Sequence, residues 1–116
     1  MAERAAGPAP RPCGVAELPR RGRVRCSGYV QALTLVPASE PPRFTAYVED
    51  APSAPDGPSA RAPRRRVRLV WIGQRRISGI EAGTLLAFEG MVSTAKGLPT
   101  IYNPRYEILG RPEGTA

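Results

Sequence analysis

An all-β fold, a small closed sheet of five strands, is predicted by three observations. Apolar and polar residues alternate with period two in five segments, beginning near Arg23, Arg43, Arg66, Thr84 and Leu98. The connector between the third and fourth segments is too short and too glycine-rich for a full helix. The first segment is the longest and carries Gly28 at its middle, where a strongly bent strand needs a side chain missing. With 116 residues, 14 of them Pro and 12 Gly, the chain has room for one domain and a modest core.

Residues 1–21 read as a flexible tail, because Gly7-Pro8-Ala9-Pro10 and Arg11-Pro12-Cys13-Gly14 favour neither helix nor strand. Leu18 and Pro19 are placed to dock its end. The folded domain spans 22–109. Its first strand runs from Arg23 to Val36, with Val24, Cys26, Gly28, Val30 and Ala32 on one face and Arg23, Arg25, Ser27, Tyr29 and Gln31 on the other. Pro37 to Pro42 is a turn. The second strand, Arg43 to Asp50, sets Phe44, Ala46 and Val48 inward and Arg43, Thr45, Tyr47 and Glu49 outward. Residues 51–63, with four prolines, form a flexible insertion rather than a tight hairpin. The third strand, Arg66 to Ile72, opposes Arg66 and Arg68 to Val67, Leu69 and Trp71; Trp71 falls in the core unless a bulge flips the strand.

After Gly73 the segment Ile77-Ser78-Gly79-Ile80 supports one helical turn at most. The fourth strand, Thr84 to Ser93, places Leu86, Phe88, Gly90 and Val92 on one face. Ala95-Lys96-Gly97 is a hairpin turn in which Gly97 can take a positive φ. The fifth strand runs from Leu98 to Asn103, bends at Pro104 and resumes through Tyr106, Ile108 and Leu109; residues 110–116 fray. Three strands, a short helical or irregular connector and two more strands make a five-stranded OB-fold barrel.

The stretches Leu69-Val70-Trp71-Ile72-Gly73, Ile77-Ser78-Gly79-Ile80-Glu81-Ala82-Gly83, Phe88-Glu89-Gly90 and Ile101-Tyr102-Asn103-Pro104-Arg105-Tyr106-Glu107 carry a resemblance. In them the chain resembles the small stand-alone OB-fold nucleic-acid-binding proteins of actinobacteria. It is more distantly similar to the wedge OB domain of RecG-type helicases. The resemblance covers Arg23 to Leu109, and the closing Asn-Pro-Arg-Tyr-Glu is its most specific piece. It implies nucleic-acid binding without a helicase motor and carries over no catalytic residue. This chain departs from the pattern at residues 51–63, where relatives carry a short Asp-Gly turn.

Charge points the same way. Arg61, Arg64, Arg65, Arg66, Arg68, Arg75 and Arg76 lie in one window without Asp or Glu and account for the whole formal charge of +7. Elsewhere, ten basic and ten acidic residues cancel. An otherwise neutral protein with one concentrated cationic stretch beside its only Trp is suited to a polyanion. Arg61, Arg64 and Arg65 belong to a loop end whose role is either solvation or binding. Arg66 and Arg68 share the outward face of a strand, the surface on which OB barrels meet single strands.

The interface predicted from the sequence comprises Arg43, Arg66, Arg68, Arg75, Arg76, Lys96 and Arg105 for charge, with Tyr47 and Tyr102 for stacking. Tyr47 points outward, to stack a base or pack across strands; Tyr102 either closes the barrel or touches ligand. Neutralising about five phosphates of a single strand gives a salt slope near −3.5 and about a hundredfold loss of affinity between 50 and 200 mM salt. Charge reversal at Arg66 and Arg68 together is expected to abolish binding while leaving thermal stability nearly unchanged.

Catalysis is not expected. The chain has no histidine, which removes Ser-His-Asp and Cys-His catalysis and zinc-protease chemistry, and phosphate-loop or dinucleotide glycine motifs are missing. No cofactor or metal is expected. Cys13 in the tail and Cys26 in a strand give a poor disulfide signal, so reduced cysteines and a cytoplasmic location are predicted. No apolar run approaches a membrane span. The partner expected is nucleic acid, DNA before RNA and single-stranded or branched before duplex. A protein partner in DNA repair or replication is a possible addition. A protein–protein adaptor, or RNA binding by the same face, is the alternative.

Overall fold

In the computed structural model, residues 12–15, 18–19, 21–50 and 65–111 are described. They form one seven-stranded sheet: β1 (Pro12–Gly14), β2 (Gly22–Leu35), β3 (Arg43–Glu49), β4 (Arg66–Ile72), β5 (Leu85–Ala95), β6 (Leu98–Tyr102) and β7 (Arg105–Gly110). The expected insertion and the end of the C-terminal tail fall outside the described residues. So do Arg61 and Arg64.

Five strands close a ring in the order β2–β3–β4–β6–β5 and back to β2. Closure is possible because β2 is long enough to change partners: Gly22–Tyr29 pairs with β5, and Tyr29–Leu35 with β3. β4 and β6 run parallel, and the other ring contacts are antiparallel. Gly28 sits just before the change of partner, and its role is space rather than a bulge. A Cβ there would lie 2.6 Å from the Glu49 carbonyl oxygen and 2.7 Å from Val48 Cγ1. The irregularity comes later, between Val30 and Ala32. The extra residue reverses the parity, so Ala32 is exposed, against expectation, and Leu33 packs on the core.

The interior is filled from every strand of the ring, with Val48, Val67, Leu69, Leu86, Phe88 and Ile101 all fully buried. Trp71 is buried with them, 5.9 Å from Phe44 between ring centroids. The Asn103-Pro104-Arg105-Tyr106 segment explains itself around this indole. Asn103 adopts φ 53° and accepts the Ile72 N–H on Oδ1 at 2.9 Å, Pro104 O accepts the Trp71 Nε1–H at 3.1 Å, and Tyr106 meets the indole edge-on at 5.7 Å. The segment ends β6 and starts β7 on the other half of β5. Lys96 and Gly97 both take positive φ, the geometry of a two-residue type I′ hairpin. Gly73–Gly83 forms turns without a helix and inserts Ile77 and Ile80 into the core.

The N-terminal segment corrects two expectations. Pro12–Gly14 does form a strand, β1, parallel to Arg25–Ser27. Val15 and Leu18 beyond it are buried, and the Val15 N–H donates to Asp50 Oδ1. Cys26 is disulfide-bonded, not reduced, and the one other cysteine, Cys13, lies opposite it in register. Long-range strand pairing brings the two together, which spacing along the chain does not reveal. Among the described residues no helix is long and apolar enough to cross a membrane.

Candidate functional site

Pairing of β3, β4 and β6 aligns outward side chains in rows. One row holds Glu49 and Arg66. The next holds Tyr47, Arg68 and Thr100, and a third holds Thr45, Val70 and Tyr102. Arg43 and Ile72 make the last. Thr45, Val70 and Thr100 are buried although they face outward, so they form a close-packed floor. Tyr47 rises from it half-buried, with the Arg66 and Arg68 guanidiniums 5.5 and 5.9 Å from its ring centroid.

The two arginines are held differently. Arg66 donates from Nε (3.3 Å) and Nη2 (2.9 Å) to Glu49 Oε2, a carboxylate whose side chain is only 7% exposed. Arg68 has no carboxylate partner among the described residues. Its Nη1 donates to Ala95 O at 3.0 Å and Thr100 Oγ1 at 3.3 Å, while the Thr100 hydroxyl donates onward to Leu98 O. The positive charge of Arg68 is therefore fixed in place but not neutralised, whereas that of Arg66 is countered. A fixed guanidinium against an aromatic ring offers a flat, cationic surface at little ordering cost.

Of the residues predicted from the sequence, Tyr47, Arg66 and Arg68 come together, and Tyr102, 52% exposed, and Arg43, also exposed, share their face. Strand spacing of about 4.8 Å and a rise of about 3.3 Å per residue put Tyr102 about 12 Å diagonally from Tyr47. Lys96 stands in the hairpin next to Ala95, whose carbonyl binds Arg68. The remaining three lie elsewhere. Arg75 is spent on the Pro37–Glu40 turn, donating to Pro37 O (3.0 Å), Ala38 O (3.1 Å) and Glu40 O (2.7 Å). Arg76 borders an apolar groove beside the connector. Arg105, on β7, lines a separate cleft of about 140 Å³ in one row with Glu89 and Arg25, where Glu89 is bound by Arg23 at 3.1 Å.

Sequence reasoning missed Glu49 as the partner of Arg66, since alternation places Glu49 on the outward face of its strand without saying which strand lies beside it. The register of β3 with β4 supplies the pairing. It also missed Arg25, whose outward parity was legible but whose alignment with Arg105 depends on β5 lying between them. Arg66 and Arg68 are each bonded into the sheet, so reversing both is now expected to cost stability rather than spare it. No protein-family model, curated protein or solved structure matches this chain.

Proposed function

We propose that the five-strand ring is an OB-fold barrel that binds single-stranded DNA, free or in a branched substrate, without chemistry of its own. A first strand paired to both the second and fourth, with a non-helical connector after the third, supports the barrel reading. The observation that carries the binding reading is the Tyr47 ring under two guanidiniums, on the β3–β4 face with exposed Tyr102 on the adjoining strand. Bases stack on Tyr102 and on the Arg–Tyr47 surface, each stack worth about 1–3 kcal/mol. Phosphates pass Arg43, Arg68 and Lys96. None of these contacts reads a base edge, so the binding is sequence-tolerant.

Because Glu49 counters Arg66, the number of phosphates engaged falls to about three. The salt slope becomes about −2.1, and affinity drops about twentyfold between 50 and 200 mM salt. Fluorescence anisotropy with labelled single-stranded DNA, duplex DNA and RNA at both salt concentrations tests this. Tightest binding to single-stranded DNA with that loss is the expected result. No binding at about 50 mM salt, or binding indifferent to salt, contradicts it; preference for RNA moves the assignment to RNA on the same face.

A further inference from the structure

The last part of β2 has an open edge. β5 leaves it after the Tyr29–Leu85 pair, and the connector then satisfies Val30 alone, through Val30 N–H to Thr84 O at 2.9 Å and Gly83 N–H to Val30 O at 2.7 Å. From Ala32 to Leu35 the strand pairs with β3 on one side. Among the described residues no backbone hydrogen bond reaches its other side. In an antiparallel pair alternate residues turn both N–H and C=O to each side. Two of these four residues therefore offer a donor and an acceptor outward.

This edge borders a groove of about 610 Å³, walled by Leu33, Leu35, Phe44, Ile77 and Ile80. The groove is formed in advance. Arg75 ties the connector to three carbonyls of the Pro37–Glu40 turn, and Gly73 N–H bonds Pro42 O at 3.0 Å, so the two walls are fixed to each other. Arg76 and Glu81 stand at its mouth, and neither makes an ion pair among the described residues.

We propose that this groove binds an extended segment of a partner protein as an added strand on β2. Its backbone bonds Ala32–Leu35, alternate apolar side chains fill the groove, and a single acidic residue meets Arg76. An unpaired strand edge supplies affinity through main-chain bonds, while the pocket and Arg76 supply selectivity. Glu81 disfavours a second acidic residue. A small apolar molecule would use the walls and leave the edge unbonded; a strand uses both.

The probe is the hexapeptide acetyl-Glu-Val-Thr-Val-Thr-Val-amide, against versions with Lys for Glu or Pro for the central Val. The full chain, ¹⁵N-labelled, reports the site. The expected result is shifted amides and slowed hydrogen exchange at Ala32–Leu35, with the Lys peptide about tenfold weaker and Arg76→Glu inverting that order. The Pro peptide, which lacks a donor, should not bind. Tyr47→Ala should leave peptide binding unchanged, which separates this site from the nucleic-acid face. The proposal is overturned by no binding at about 1 mM peptide, by equal binding of the Pro peptide, or by shifts at Tyr47 and Arg68 instead. It is also overturned if the Ala32–Leu35 shifts arise with protein concentration alone, since the occupant is then a second copy.

Discussion

Replacing Arg66 by Gln removes both hydrogen bonds to Glu49 Oε2, at 3.3 and 2.9 Å, and the guanidinium 5.5 Å from the Tyr47 ring. The pair is asymmetric, with side-chain exposures of 41% for Arg66 and 7% for Glu49. Truncating one partner of a fully buried pair costs about 3–5 kcal/mol, and an exposed pair is worth about 1 kcal/mol or less. A half-exposed donor on a buried carboxylate falls between, about 1.5 kcal/mol, and the cation–π contact adds about 0.5 kcal/mol. A loss of about 2 kcal/mol lowers Tm by about 8–16 °C in a domain of this size. The control is Arg43→Gln on the same face, an exposed residue whose replacement should stay within about 0.5 kcal/mol. Thermal unfolding followed by circular dichroism compares the two at one pH. If Arg66→Gln melts with Arg43→Gln and wild type, the pair is ornamental and the assignment of Arg66 to the scaffold fails.

Three further outcomes follow from the packing. Gly28→Ala should destabilise by about 2 kcal/mol in urea unfolding, since its Cβ meets the Glu49 carbonyl at 2.6 Å and little in the sheet can yield; an unchanged midpoint would show that β2 has room there. Arg75→Ala should speed hydrogen exchange at the Glu40 and Gly73 amides by about tenfold by loosening the Pro37–Glu40 turn; unaltered rates mean the guanidinium is not the clamp. Dithiothreitol should lower unfolding stability by about 2–3 kcal/mol through loss of the Cys26 disulfide, and identical melts with and without reductant would contradict the bonded state.

What was legible in the sequence is what period two encodes. The inward set Phe44, Ala46, Val48, Val67, Leu69, Trp71, Leu86, Phe88 and Val92 is buried as the alternation requires, and β4 matches its predicted bounds residue for residue. A hairpin turn at Ala95-Lys96-Gly97 was readable from turn chemistry, and the structure narrows it to Lys96 and Gly97. What alternation cannot encode is which strands meet. Ala32 and Leu33 exchanged faces because the extra residue after Val30 leaves no composition signal. β1 and the cysteine bond stayed hidden because a three-residue strand next to Pro gains its order from β2 alone. The arginine window likewise dispersed once pairing was known. Arg66 and Arg68 flank Tyr47, Arg75 holds a turn, and Arg76 faces a groove. Linear density of charge was a poor guide to the duty of each residue.

The central claim, that single-stranded DNA lies across β3, β4 and β6, is tested most directly by mapping amide shifts. An oligothymidylate is titrated into the ¹⁵N-labelled chain. Saturable shifts confined to Arg43, Tyr47, Arg68, Lys96, Thr100 and Tyr102, abolished in Tyr47→Ala with Arg43→Glu, are predicted. Shifts in the separate cleft around Arg25, Glu89 and Arg105, or none at all, would contradict the account.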